Sequence, residues 1–354
     1  MRLLVFNPES DLALAANDAH YTPPASARRM AADLALLPEA WAAADDAILL
    51  ADGTAAIGGE RVAPSVWAPR VSWVEPWGWN PLVVQRLLRL GVAPSVLPSP
   101  SWLAAYRTLA GRATAAAMLR QLAVHPQLAP WRGLVAGEAA VCCSLDDALA
   151  ALARHGGALF KQPWSGSGRG LHPAPAAVAT DKTVAWLRRT LRTQGYVMAE
   201  PIYARALDIA AEFTCHGGGS VSYEGLSVFL TTPGGVYAGN LLAPEPVKRA
   251  IVGRHIPLPM LDSAVEALRS LIARSVATAL EPLPAPLPVG VDMMLLADGR
   301  LHPCVEVNWR MTMGMVALHL ARRQPLPGGG RFAIACRGGR YEAVVDAKNH
   351  DFTL

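Results

Sequence analysis

Short apolar runs closed by turn residues recur through the N-terminal part of the chain. "RLLVF" (2–6), "AILLAD" (47–52) and "VSWVEP" (71–76) have the length and bounds of buried strands. "PLVVQRLLRLG" (81–91) instead spaces its apolar residues for one face of a helix and stops at Gly91. "APSVLPSP" (93–100) reads as a further strand running into a Pro-Ser cluster. This alternation predicts a small, partly parallel α/β unit over residues 1–98. "SWLAAYRTLAGRATAAAMLRQLAV" (101–124) is helical in pattern, with a break at Gly111.

The pattern then changes twice. From 137 to 203 it runs strand, Ser144 as helix cap, helix to Gly156, strand "ALFKQP", a glycine-rich loop, helix 181–195, and strand "YVMAEPIY". From 207 to 242 the period is that of strands, punctuated as hairpins at Gly217–Gly219 and Gly234–Gly235. An amphipathic helix follows at about 259–279, then "EPLPAPLP" (281–288) as a stiff connector. "VGVDMMLLADG" and "RLHPCVEVNWR" read as two strands joined by an Asp-Gly turn. These shifts divide the chain into units at 1–98, 99–203 and 204–354.

Composition narrows the class. Of 354 residues, 52% are hydrophobic and 17% charged, enough apolar material for several cores and too much for a disordered chain. No run of 18 or more uninterrupted apolar residues occurs, which argues against a membrane span. The N-terminal apolar run ends at Asn7-Pro8 with acids close behind, the mark of a buried strand and not of an export signal. Five cysteines without a CxxC spacing suggest neither a disulfide framework nor a zinc site, and fit a reducing cytoplasm. The net charge of +4 carries no basic run and no interleaved aromatics, so nucleic acid is not indicated, while a small anionic substrate fits.

Two stretches carry candidate chemistry. In "GGALFKQPWSGSGRGLHP" (156–173), Lys161 ends a strand and Ser165, Gly166, Ser167, Gly168, Arg169 and Gly170 form the loop after it. Glycine-rich backbone presents N–H groups to an anion, and Lys161 would set an ammonium beside it. The order of lysine and glycines fits neither a P-loop nor a dinucleotide fingerprint, so by itself the loop also reads as a plain surface turn. In the late hairpin, Asp292 and Glu306 fall on facing strands, and Asn308 and Arg310 share the face of Glu306. Two carboxylates and an amide oxygen suit Mg²⁺, and acids in apolar strands need some such partner. A solvated edge hairpin is the plainer alternative. The loop after the first strand (Asn7, Glu9, Asp11, Asn17, Asp18, His20) reads either as a capped turn or as a ligand loop. Tyr237 and Asn240 read as hairpin residues or substrate contacts. Trp73, Trp77 and Trp79 read as packing or as a cleft wall.

Taken together, lysine on a strand, glycine loop, acid-ended strand, then Asp and Glu-x-Asn on late strands resemble the ATP-grasp superfamily, over about residues 95–320. The resemblance implies a small α/β domain followed by an ATP-grasp fold of two α+β subdomains. It implies that Lys161 and the backbone from Ser165 to Gly170 meet the nucleotide phosphates. Glu200 and its neighbour Ile202 would meet adenine and ribose, with Asp208 as a ribose or substrate group. Asp292, Glu306 and Asn308 would hold Mg²⁺ (or Mn²⁺), and Arg310 would steady an acyl phosphate. The family has an earlier lysine that reaches the α-phosphate. No lysine precedes Lys161 here, and Arg112 stands in its place.

By the same resemblance the expected activity is ATP-dependent ligation of a carboxylate to an amine or thiol, releasing ADP and phosphate. The substrates would be small molecules or peptides, with no nucleic acid or membrane partner and a homodimer allowed. A kinase of the same fold acting on a hydroxyl shares every one of these motifs. A nucleotide-binding protein without catalysis is the third reading.

Overall fold

The computed structural model describes residues 1–166, 168, 170–232, 235–326 and 329–347. Among them are three sheets, met in chain order. The first has β1 (Arg2–Val5), β2 (Ala47–Leu49), β3 (Ala55–Ile57), β4 (Glu60–Val62) and β5 (Trp73–Pro76), in the order β4-β3-β2-β1-β5. β1 runs parallel to both β2 and β5, while β3 and β4 form an antiparallel extension. The carboxyl ends of β1 and β5 lie side by side, where Asn7 Nδ2 donates to the Gly78 carbonyl at 2.8 Å. The stretch after β1 is not only a turn: it forms a helix, Ser10–Ala16, with Asp11 in its first turn.

The strand expected at 93–100 is absent. Pro94 opens a short 3-10 turn, Pro94–Val96, and the prolines at 94, 98 and 100 leave too few N–H donors for a ladder. Pro100 instead starts the helix Pro100–Leu109, capped by Ser99. The break expected at Gly111 is present, and a second helix runs Arg112–Ala123.

The second sheet contains β6 (Ala140–Cys142), β7 (Ala158–Lys161), β8 (Leu171–Ala174) and β9 (Val197–Glu200), ordered β6-β9-β7-β8 and antiparallel throughout. The helices Leu145–His155 and Asp181–Gln194 cover it through a small core of its own. The first of these opens on a Ser144–Asp147 capping box and ends at Gly156 in the left-handed conformation.

The third sheet contains β10 (Arg205–Gly217), β11 (Ser220–Thr231), β12 (Tyr237–Leu242), β13 (Leu287–Leu296), β14 (Leu301–Asn308), β15 (Gly330–Arg337) and β16 (Arg340–Asp346), ordered β14-β13-β10-β11-β12-β15-β16. The connector read at 281–288 is shorter than expected, since β13 begins at Leu287. Period-two alternation sorts this sheet's faces. Ile209, Ala211, Phe213 and Cys215 of β10 share the main core with Leu261, Leu268 and Ile272 of the helix Leu258–Ala279. Asp208, Ala210 and Glu212 point the other way, toward the cavity described next. No helix among the described residues is long and apolar enough to cross a membrane.

Candidate active site

Register builds the floor of the site. Across β11, β10, β13 and β14, one row joins Phe229, Asp208, Met294 and His302. The next joins Ser227, Ala210, Asp292 and Glu306. The third joins Gly225, Glu212, Gly290 and Asn308. Residues facing one another across antiparallel strands share a face, so the four acids of these rows look into the same space. That space is a cavity of about 660 Å³ between the second and third sheets.

Lys161, Glu200 and Ile202 line it from the second sheet. Lys161 and Glu200 lie diagonally across β7 and β9, and their Nζ and Oε2 atoms are 2.6 Å apart with both side chains buried. Arg112 enters from its helix. Its guanidinium donates to the Gln162 carbonyl and the Ser165 hydroxyl, both at 2.6 Å, and to Glu306 Oε1 at 2.7 Å. Its Nε has no partner among the described residues. The arginine at the place of the expected lysine therefore ties the base of the glycine loop to the acids of the third sheet.

The loop itself closes through the Gln162 N–H and the Gly170 carbonyl, 2.9 Å apart. Gly166 and Gly168 line the cavity, while Ser165 lines a small neighbouring recess with Asp11 and Arg310. Ser167 and Arg169 lie outside the described residues. Gly166 has no room for a side chain, because a Cβ there would collide with the Asp11 carboxylate. Gly168 has φ +72°, and a Cβ there would collide with the Gly235 carbonyl oxygen, so the loop lies against the β11–β12 hairpin.

Asp292 and Glu306 are directly paired, and Asn308 Nδ2 donates to Asp292 Oδ2 at 3.2 Å. Burial raises the Asp292 carboxyl, and the neighbouring Glu306 raises it further. Asp208 is raised too, by burial, although Arg205 and Thr231 each bond its Oδ2 at 2.8 Å. Arg310 follows β14 and forks onto Asp11 from the first sheet's edge, Nε to Oδ1 at 3.0 Å and Nη2 to Oδ2 at 2.8 Å. Burial opposes its charge, but Asp11 holds the guanidinium firmly protonated.

No family model matches the chain, and no curated protein matches it. Solved structures do. The biotin carboxylase of Campylobacter jejuni, solved as a β-γ-ATP complex, superposes with a TM-score of 0.50 at 12% identity, over 95% of this chain and 76% of its own. The chain has the ATP-grasp fold. Two further matches are weaker in TM-score. N5-carboxyaminoimidazole synthetase of Staphylococcus aureus, complexed with ADP, gives 0.49 at 11% identity, over 94% of this chain and 82% of that one. The biotin carboxylase domain of Hydrogenobacter thermophilus 2-oxoglutarate carboxylase, with MgADP, gives 0.47 at 11% identity over 76% of this chain. This chain spans only 60% of the length of that domain.

Within the ATP-grasp fold, the structure adds cavity residues that sequence reasoning passed over. Glu212 is 1% exposed and accepts from Thr312 Oγ1 at 2.8 Å. Burial pushes its carboxyl up to about 8 against that hydrogen bond. The signal was available: Glu212 is an acid in an apolar strand, like Asp292, two positions from Ala210 and four from Asp208 on one face. His302 is also fully buried, edge-on to Tyr203 at 5.5 Å, with neither ring nitrogen bonded among the described residues. Burial and the nearby Lys161 push its imidazole down to about 3, so it is neutral. Tyr237 and Asn240, left open between hairpin and substrate contact, both line the cavity. Trp77 and Trp79 are buried in the core. Among the described residues no group of three or more His, Cys, Asp or Glu is placed to share a metal.

Proposed function

We propose that the chain, organised as units 1–98, 99–203 and 204–354, is an ATP-dependent ligase that activates a carboxylate as an acyl phosphate and passes the acyl group to an amine or thiol. The observation that carries this reading is the single cavity in which Lys161, Arg112, the glycine loop, Glu200, Asp292, Glu306, Asn308 and Arg310 converge from separate elements. Its volume suits a nucleotide with a small co-substrate. The Campylobacter jejuni biotin carboxylase of this fold was solved as a β-γ-ATP complex.

A divalent cation fits the donor set. Asp292 and Glu306 are paired acids, Asp292 is raised by burial and then by the facing Glu306, and among the described residues only Glu306 of the two forms an ion pair, with Arg112. Asp292, Glu306 and Asn308 would hold Mg²⁺, which, when bound, neutralises charge on the nucleotide phosphates. The chain's own groups do the rest. Lys161 and the loop N–H groups would hold phosphate oxygens, and the Glu200–Tyr203 strand end would meet the base. Arg112 would keep the loop base and Glu306 in register. Arg310, locked by Asp11, would present its guanidinium edge to the carboxylate being phosphorylated. A carboxylate oxygen attacks the γ-phosphorus and ADP leaves. The nucleophile then attacks the acyl carbon, phosphate departs, and the nucleophile's proton goes to solvent. The loop over the cavity would exclude water from the acyl phosphate.

The test is ADP release over pools of carboxylates and amines, with hydroxylamine as trap. An acyl hydroxamate supports ligation. A stable phosphorylated product that forms without any amine identifies a kinase instead. Glu306→Ala should reduce turnover by about 10²-fold or more. Full turnover in a folded Glu306→Ala chain would refute the proposed cation site.

A further inference from the structure

We propose that Arg112 is a positioning residue that couples the cation to the nucleotide: it holds Glu306 in the empty cavity against a bare divalent cation, and releases it when phosphate oxygens arrive with the cation. This rests on the reading of the cavity as the site of a nucleotide with its Mg²⁺.

Among the described residues, every lysine and arginine that lines the cavity is already held by a carboxylate. Lys161 lies on Glu200, Arg205 on Asp208, Arg310 on Asp11 and Arg112 on Glu306. The last pair differs from the others. Glu306 faces Asp292 across β13 and β14, and Asp292 has only the Asn308 amide on it and no ion pair among the described residues. Arg112 Nη2, 2.7 Å from Glu306 Oε1, is therefore the counter-charge of the two acids that would share a cation.

The same guanidinium is anchored on its other side by neutral groups. Nη1 donates to the Gln162 carbonyl and to Ser165 Oγ at 2.6 Å, and Nη2 to the Ser165 carbonyl at 3.2 Å. Glu306 is thus its one charged partner among the described residues, for a side chain that is 6% exposed. A divalent cation that took Glu306 by itself would leave a buried guanidinium with neutral partners, beside two further positive charges. That is the costly way to break a buried pair. A phosphate that arrived by itself would meet the Asp292 and Glu306 carboxylates. Arriving together, the two remove both costs. The carboxylates then face the cation, and the guanidinium, whose Nε has no partner among the described residues, faces phosphate oxygens. A lysine could not serve in this way. Its compact ammonium cannot span Gln162, Ser165 and Glu306 at once, as the planar fork does.

The experiment uses the full chain with three probes: Mn²⁺ alone, ADP with EDTA, and Mn²⁺ with ADP. Binding is read by calorimetry, and the metal also by electron paramagnetic resonance. The parent should bind Mn²⁺ about fivefold or more tighter with ADP present than without it. Arg112→Gln should bind Mn²⁺ alone about fivefold or more tighter than the parent, and Mn²⁺ with ADP more weakly. A damaged fold does not tighten a metal, so this gain separates coupling from mere support. Should Arg112→Gln fail to fold, Glu306→Gln decides, since its amide oxygen still accepts from Arg112. With the guanidinium charge released, Glu306→Gln should bind metal-free ADP about fivefold or more tighter than the parent. Asp292→Asn removes a charge from the same floor without touching Arg112, and should gain less. The proposal is overturned when folded Arg112→Gln binds Mn²⁺ alone no tighter than the parent, or when Glu306→Gln gains no more for metal-free ADP than Asp292→Asn. Failure of the parent to bind ADP in the presence of Mn²⁺ overturns the nucleotide reading instead. Mn²⁺ alone on Arg112→Gln then still decides whether Arg112 guards Glu306.

Discussion

Lys161 and Glu200 are buried with their charges 2.6 Å apart, so neither can be removed alone without consequence. A lysine before a glycine loop predicts a loss of phosphate binding. The buried pair adds a loss of stability, because Lys161→Ala strands a carboxylate away from water. We expect Lys161→Ala to cost about 3–5 kcal/mol, and Lys161→Met with Glu200→Gln to recover most of it. Both should still fail to bind MgADP tightly, which calorimetry on the folded double variant would show. Glu212 offers a pH-dependent test. Its folded value, about 8, lies above its ordinary 4.5. Between those values the folded chain keeps a proton that the unfolded chain has lost, so stability falls as pH rises through this window. Glu212→Gln lacks that loss and keeps an acceptor for Thr312. The variant should therefore gain on the parent by up to about 1.4 kcal/mol per pH unit across the window, and the gain should level off above pH 8. Urea melts at pH 4.5, 6.5 and 8.5 would show a constant difference if Glu212 titrated normally.

At the scale of the element, what the chain declared was its periodicity. The alternation of "VGVDMMLL" and "LHPCVEVN" placed Asp292 opposite Glu306, and the ladder pairs them. The helix expected at about 259–279 runs Leu258–Ala279 because one side of it meets β10 and β11. Three-residue strands such as β3 and β4 show no period at all, and proline-rich 93–100 imitates an apolar strand while lacking its donors. Glu212 was missed for a related reason. Its partners are Thr312, from a distant turn, and the empty place at Gly290, and neither is visible in β10 itself. Gly290 sits between Glu212 and Asn308 in the row, where a Cβ would come within 2.6 Å of Thr312 Cγ2 and 2.7 Å of Glu212 Oε2. Gly290→Ala should therefore destabilise by about 1–3 kcal/mol through overpacking. The crowding falls on Glu212 and Thr312, and urea melts of the variant against the parent would read its cost.

At the scale of the molecule, one ion pair joins the first sheet to the third at the site. Asp11 belongs to the helix after β1, Arg310 to the turn after β14, and Gly166 of the glycine loop touches the pair from above. Two more contacts fix the same turn: Tyr106 OH donates to the Trp309 carbonyl at 2.5 Å, and the Met311 N–H donates to the Trp77 carbonyl at 2.9 Å. The helix Pro100–Leu109 and the carboxyl end of β5 thus hold the backbone around Arg310, while Asp11 and the Met311 carbonyl, 3.1 Å from Nη1, orient its guanidinium. Asp11→Asn keeps the shape but gives up the charge and half of the fork. The backbone anchors should keep the fold, so the loss of stability should stay near about 1–3 kcal/mol, that of a partly buried charge left short of partners. The guanidinium then keeps only one bond to residue 11 and the one to the Met311 carbonyl, so its aim at the cavity loosens. Since it faces the proposed carboxylate and not the base, turnover should drop by about tenfold or more with little change in MgADP affinity. Arg310→Lys should behave alike, for an ammonium cannot make the fork. A loss of MgADP affinity as large as the loss of turnover would place Arg310 on the nucleotide, and unchanged turnover would remove it from the reaction.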